Sequence, residues 1–378
     1  MSSFNILLRG YFPGLASNNH CLGWLNSFDQ LGIKATVFNL RPNDEFERMP
    51  DAYKNLTIVN LWDNRCGRTK SRLLRFVIHH INVWRFTRMV KKGDVVWVYD
   101  LPEAIIRLVK RKGIHLYNEV TEHPEVGSKT FFDKKRICKQ IKAISCVDGL
   151  FVISTQLKHV YESRGVDKDK IHIINMTVDP FRFDGIKKLG DDKCIVYCGN
   201  GANIHEVAPL LNSFSLVYNK YPDFKLKIIG SSPKRGDVSG IVELVEQLNV
   251  EDAVVFTGRK SPEEVPQLLK NASILALDRP NTLQAQNGFP TKLGEYLLTG
   301  NPVCVTNVGD IPLFLEDGVS AFVAAHDDAE DFASKLIWII EHPHEASIVG
   351  TRGREVALKY FNPMVEAKKM LKCMGLYT

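Results

Sequence analysis

Short apolar runs bounded by turn formers alternate with stretches of helical period along almost the whole chain. No other feature limits the fold as tightly. Residues 4–9, 34–38, 56–60, 94–100, 114–120, 149–154 and 170–175 read as strands, with helices over 18–31, up to 112, over 133–146 and up to 164. The alternation breaks at 179–192, a polar segment with turn formers at both ends. It restarts with strands at 194–198, 225–230, 253–258, 273–278 and 303–306 and helices over 204–221, 238–248, 262–270 and 327–341. Segments 311–316 and 321–323 fall in the same half, and 363–374 reads as a closing helix. Strands alternating with helices argue for parallel sheets covered on both faces. A length of 378 residues is too great for one ordinary core. The expected fold is therefore α/β in two domains, 1–180 and 193–360, joined by a linker at 181–192. Residues 361–378 are expected as a C-terminal helix packing back toward the first domain. Open α/β sheets bind ligands beyond the carboxyl ends of their strands, so the cleft between two such edges is the default site.

One stretch of the second half concentrates chemistry. Asn287-Gly288-Phe289-Pro290-Thr291 leads into a short helix that carries Lys292 and Glu295 and stops at Gly300, just before the strand at 303–306. Proline suits the first turn of a helix and glycine the position past its end. The free N–H groups at such a helix start attract an anion. Backbone amides, a cation and a carboxylate within about one turn suit a ligand with both phosphates and hydroxyls, such as a nucleotide-sugar.

Charge is unevenly placed. Residues 1–180 hold 28 Lys+Arg against 18 Asp+Glu, a balance of +10, whereas 181–378 hold 21 against 25, a balance of −4. Residues 65–92 contain nine basic residues and no acidic one, interleaved with Leu73, Leu74, Phe76, Val77, Ile78, Ile81, Val83, Trp84 and Phe86. Three readings stand: a core helix with a solvated basic face, a helix lying near anionic lipid or an anionic acceptor, and a nucleic-acid contact. No nucleic-acid module surrounds the segment, which disfavours the third. No apolar run reaches the length of a membrane span, and the first residues read as a strand rather than a signal peptide, so a cytoplasmic location is expected. The eight cysteines are scattered without CxxC pairs or Cys/His clusters and are expected as reduced thiols. Gly199-Asn200-Gly201 lacks the third glycine and the distal acid of a dinucleotide fingerprint, which argues against NAD.

The run Gly288-Phe-Pro-Thr-Lys-Leu-Gly-Glu-Tyr-Leu-Leu-Thr-Gly-Asn-Pro-Val303, with Asp317-Gly-Val-Ser-Ala-Phe-Val323, resembles retaining glycosyltransferases of family 4, of bacterial polysaccharide type. Tyr197-Cys-Gly199, Val255-Phe-Thr-Gly258, Glu119-Val-Thr-Glu-His-Pro124 and Asn175-Met-Thr-Val-Asp179 extend the resemblance. It implies the GT-B fold, two Rossmann-like domains facing across a cleft, the first on the acceptor side and the second binding a nucleotide-sugar. By that resemblance, Glu295 holds the nucleotide's ribose hydroxyls and His123 contacts the donor sugar, with Glu122 beside it. Gly14, Ser17 and Asn18 meet the diphosphate and acceptor, and Gly288, Phe289, Pro290 and Thr291 line the donor. Where the family has a sugar-binding glutamate this chain has Asn287. Where it has a basic pair after the strand ending at Gly199, this chain has Asn200 and Glu206. Lys292 and Arg259 are the candidates to replace that pair as catalytic cations.

The resemblance implies a metal-independent, cofactor-free transferase using a UDP-, GDP- or ADP-sugar. Its partners would be a glycan or lipid-linked acceptor and, through 65–92, an anionic membrane surface. Two rivals stand beside it. One is a catalytically weak nucleotide-sugar-binding subunit of a glycan assembly complex, motivated by Asn287 and the missing basic pair. The other is a GT-B nucleotide-sugar epimerase.

Overall fold

The computed structural model describes residues 3–8, 16–40, 53–61, 72–99, 103–126, 130–190, 192–199, 204–230 and 239–378. The chain divides into two compact units, Met1–Asn175 with Pro363–Thr378, and Met176–Asn362. The crossing point lies between Asn175 and Met176, so the polar segment 181–192 belongs to the second unit.

In the first unit, β1 (Phe4–Leu8), β2 (Ala35–Asn39), β3 (Leu56–Asn60), β4 (Val95–Tyr99), β5 (His115–Val120), β6 (Gly149–Val152) and β7 (Ile171–Ile173) form one parallel sheet. Their spatial order is β3-β2-β1-β4-β5-β6-β7. Every residue of β1 and β6 is buried, as in a sheet covered on both faces, with Asn5 the polar exception in otherwise apolar runs. The helices are α1 (Ala16–Gln30), α2 (Arg72–Met89), α3 (Glu103–Lys110), α4 (Phe131–Ile144) and α5 (Thr155–Ser163). Thr130 and Asp133 close a reciprocal capping box at the start of α4.

In the second unit, β8 (Cys194–Cys198), β9 (Lys225–Ile229), β10 (Val254–Gly258), β11 (Ile274–Leu277), β12 (Val303–Thr306) and β13 (Phe322–Ala324) form a parallel sheet in the order β10-β9-β8-β11-β12-β13. Its helices are α6 (Ile204–Lys220), α7 (Ser239–Gln247), α8 (Glu264–Asn271), α9 (Leu283–Asn287), α10 (Thr291–Leu298), α11 (Ala329–Glu341) and α12 (Pro343–Tyr360). The closing helix, α13 (Pro363–Cys373), returns to the first unit. There Ala367, Met370 and Leu371 join Trp24, Leu25 and Phe28 of α1 in the core beneath β1 and β4. Buried Glu366 accepts the backbone N–H of Asn175 at 2.9 Å.

Both sheets reverse their strand order at one place, between β1 and β4 in the first and between β8 and β11 in the second. The crevice outside the carboxyl ends at such a reversal is where open α/β sheets hold ligands.

Three local features go beyond the sequence reading. Residues 283–287, where the sequence pattern marks no helix, form α9, capped by the Thr282 side chain, which accepts from the Ala285 N–H. Residues 343–360 form an 18-residue helix that the pattern does not announce. Segment 311–316 opens with a 3-10 turn at Ile311–Leu313.

Candidate functional site

The site is built from the carboxyl end of β8, the segment after β11, and α10. Tyr296, fully buried, fixes α10 to the sheet, because its hydroxyl accepts the Cys198 N–H at 2.6 Å. On the same helix Gly294 allows a close approach, since a Cβ there would fall 2.7 Å from the Val178 side chain. That approach brings the chain around 178–183 against α10, and Arg182 forms an ion pair with Glu295 while its Nη2 donates to Pro262 O at 3.1 Å. Burial raises the Glu295 carboxyl above its ordinary pKa, and the Arg182 charge and hydrogen bond oppose that rise. The carboxylate is thus half-buried and held by one cation, with acceptor capacity remaining for hydroxyl donors. Pro290 precedes α10 without a side-chain cap, so the first backbone N–H groups of the helix have no side-chain acceptor from that position.

Lys292 lies one turn before Tyr296. Its ammonium donates to Tyr197 Oη at 2.8 Å, sits 4.6 Å from the centroid of that ring and approaches Glu206 Oε2 at 3.5 Å. Tyr197 Oη in turn donates to Glu206 at 3.2 Å. Burial acts to lower the Lys292 pKa, but Tyr197 and Glu206 outweigh it and hold the group above the usual lysine value. Arg279 follows β11 by one residue and lies in the field of the same group, with Glu206 and Tyr197 favouring its charge while burial disfavours it. Glu206 stands where the resemblance would put a base. In this chain it pairs with a cation supplied from elsewhere, Lys292.

The remaining expected residues are distributed as follows. Asn287 ends α9, is buried, and donates from Nδ2 to Leu283 O at 2.9 Å, which ties its amide into its own helix. Gly288 follows with its N–H on Gln284 O, and a Cβ would lie 2.9 Å from that oxygen. Phe289 is a buried anchor packed on Phe314 and Phe361 at 5.5 and 4.9 Å. Thr291 begins α10 and is half-buried. Gly199 follows β8 so close to Gly230 that a Cβ on the latter, at φ +101°, would overlap the Gly199 carbonyl. Arg259 is exposed past the edge strand β10, two strands from β8, and makes no ion pair among the described residues. Gly14 and Asn200 lie outside the described residues, as do the side chains of Ser17 and Asn18.

His123, in the first unit, is buried just after β5, and its Nδ1 accepts the Glu125 N–H at 3.1 Å. Burial and then the Arg164 charge hold its pKa below the ordinary value, so near neutral pH it is an uncharged imidazole with Nε2 as the donor. The described cysteines are free thiols, and burial pushes Cys198 up to about 12, which leaves it unreactive. Among the described residues no cluster of three or more His, Cys, Asp or Glu could hold a metal, and no helix is long and apolar enough to cross a membrane.

Sequence reasoning missed two residues here. Arg182 lies in the polar segment taken for a linker, where nothing marked it. Arg279 did carry a signal, since it stands one residue past a strand that ends at the sheet's ligand-binding edge.

Residues 192–342 match the family Glycosyl transferases group 1. N-acetyl-alpha-D-glucosaminyl L-malate synthase of Bacillus anthracis is 25% identical over 170 residues, 45% of this chain and 42% of that protein. The match thus spans less than half the length of that relative. The amylovoran biosynthesis glycosyltransferase AmsK of Erwinia amylovora is 23% identical over 98% of this chain and 92% of its own length. Among solved structures, Anabaena HepE in complex with UDP superposes with a TM-score of 0.76, at 12% identity and 99% coverage of both chains. At that identity the likeness speaks to the fold, which is of GT-B type.

Proposed function

We propose, on the footing that residues 192–342 are a group 1 glycosyltransferase domain, that the protein moves a sugar from a nucleotide-diphosphate donor to a glycan or lipid-linked glycan, with retention of configuration and without metal or cofactor. The observation that carries this reading is the half-buried Glu295 carboxylate one turn past the uncapped start of α10, a helix fixed to the end of β8 by Tyr296. A carboxylate can accept from two vicinal ribose hydroxyls, and a helix start favours phosphate. Cations beside the leaving diphosphate stabilise the charge that develops as the glycosidic bond breaks. The occurrence of UDP in the HepE complex supports a nucleotide donor. A thermal-shift screen with UDP, GDP, ADP and their sugars tests the reading, since ligand at ~100 times its dissociation constant adds about 2.7 kcal/mol to the folded state. Glu295→Gln should lower donor affinity at least tenfold. Wild-type affinity in that variant would remove Glu295 from the donor site.

The burial of Asn287 and its bond to Leu283 O favour a second reading, a nucleotide-sugar-binding subunit with little turnover of its own. Hydrolysis or transfer with any donor sugar would sink it, and conversion of a donor without acceptor would indicate epimerisation instead.

The acceptor side of the reading rests on α2. Asn82, Phe86 and Val90 face the core, whereas Leu74, Val77, Ile81 and Trp84, at the 3-4-3 spacing of one helix face, are exposed. Arg88 lies over the Trp84 ring at 4.7 Å, and Phe76 and Met89 are exposed nearby. An outward apolar stripe with a tryptophan, in a segment holding nine bases and no acid, suits the interface of an anionic bilayer. The double variant Ile81→Ser with Trp84→Ser should lose at least fivefold in co-sedimentation with phosphatidylglycerol vesicles at low salt while keeping its melting temperature. Equal sedimentation would reject α2 as the docking helix.

A further inference from the structure

We propose that Arg279 and Lys292 together seat the diphosphate of the donor, and that Glu206 is an internal counter-anion which the diphosphate displaces from them. The inference rests on the nucleotide-donor reading and goes beyond it by naming which side chains replace the basic pair missing after β8.

Arg279 is placed by its backbone. Its N–H donates to Thr306 Oγ1 at 2.9 Å, and that hydroxyl donates back to the Arg279 carbonyl at 3.0 Å, so the residue is clamped to the end of β12. Pro280 follows, which disfavours helical backbone at Arg279. The Nη1 of its guanidinium is buried and has no hydrogen-bond partner among the described residues. A desolvated donor left unpaired on a permanent charge is costly in a folded protein. Such a group is expected where a ligand completes its hydrogen bonds.

The surroundings identify the ligand's charge. Arg279 and Lys292 repel each other electrostatically, and both are attracted to Glu206 and Tyr197. Lys292 thus pairs with the Glu206 carboxylate while Arg279 lies in its field, and that side chain remains 46% exposed and able to swing away. An incoming diphosphate carries more negative charge than Glu206 and has several acceptor oxygens, enough to meet Lys292, the open Nη1 and the uncapped start of α10 at once. Glu206 then balances the two cations in the free protein and competes with the ligand for them. This makes its expected mutational effect opposite in sign to that of Arg279.

The test is calorimetric titration with whichever of UDP, GDP and ADP the wild-type protein binds, alongside the monophosphate of the same nucleoside. Arg279→Gln should weaken the diphosphate at least tenfold and the monophosphate by less than threefold, so that the preference for the diphosphate collapses. Arg279→Lys should restore part of it. Glu206→Gln should tighten the diphosphate at least threefold. The proposal is overturned if Arg279→Gln keeps the wild-type preference, or if Glu206→Gln weakens binding, which would make Glu206 a mere prop for Lys292. Should Arg279→Gln melt early, Arg279→Lys and the partly exposed Glu206→Gln decide the matter by themselves. A wild-type protein that binds none of the three diphosphates overturns the nucleotide-donor reading itself, a result distinct from an unaltered Arg279→Gln.

Discussion

At the scale of single residues, the second sheet keeps its charged groups at the carboxyl edge and holds them with few partners. Asp278, between β11 and Arg279, is buried and accepts from Ser213 Oγ at 2.8 Å. Burial raises its pKa to about 6, with Ser213 opposing and Asp327 adding to the rise. A carboxyl whose folded pKa is raised stabilises the fold fully below its unfolded pKa. That stabilisation is lost as pH rises through the folded value, here about 6. Asp278→Asn removes the penalty and can still accept from Ser213. The variant should gain up to about 3 kcal/mol over wild type above pH 7, with the gain shrinking toward pH 4. Melting temperatures of both proteins across that range check it, and a gain independent of pH would exclude Asp278 as the titrating group. Glu295 and Lys292 could be picked out by type and by their place in the first turns of a helix entered through Pro290. Their partners Arg182, Tyr197 and Glu206 could not, because those pairings depend on close approaches between segments distant in sequence.

At the scale of elements, α12 shows why periodicity alone fell short. Its 18 residues include Gly350 and Gly353, which weaken helix propensity and read as loop. Packing explains them. A Cβ at Gly350 would lie 2.6 Å from the Gly300 carbonyl oxygen, and one at Gly353 2.5 Å from that of Ser320. The helix needs bare backbone to lie against the turn that ends α10, so the residues that hide it from a pattern search are the ones that seat it. Gly350→Ala should gain helix propensity yet lose about 1–3 kcal/mol through overpacking against backbone that cannot yield. Thr351→Ala, exposed on the same helix, should stay within about 0.5 kcal/mol of wild type. Denaturant titrations of the two variants separate the effects, and a neutral Gly350→Ala would show that the turn after α10 can move. By contrast, β8 and β12 fall at the bounds read from sequence, because buried parallel strands announce themselves as short, largely apolar runs.

At the scale of the whole molecule, the alternation of strand and helix was enough to indicate two α/β units, since a parallel strand must be followed by a crossover. The crossing points were harder to read. Polarity drew attention to 181–192, yet the first unit ends at Asn175, and its last helix is supplied only after the second unit is complete. This route makes the first unit depend on residues at the far end of the chain. Met370 and Leu371 are fully buried among Trp24, Phe28 and Phe4, and Glu366 holds the Asn175 backbone. Met370→Ala should therefore cost about 2–5 kcal/mol, as large-to-small changes in a core do. The loss should appear as faster amide exchange in α1, β1 and β4, while α10, α11 and α12, which belong to the other unit, keep their protection. Exchange that rises equally in both sets would mean that the two units unfold as one cooperative body. The closing helix would then stabilise the entire chain rather than the first sheet alone.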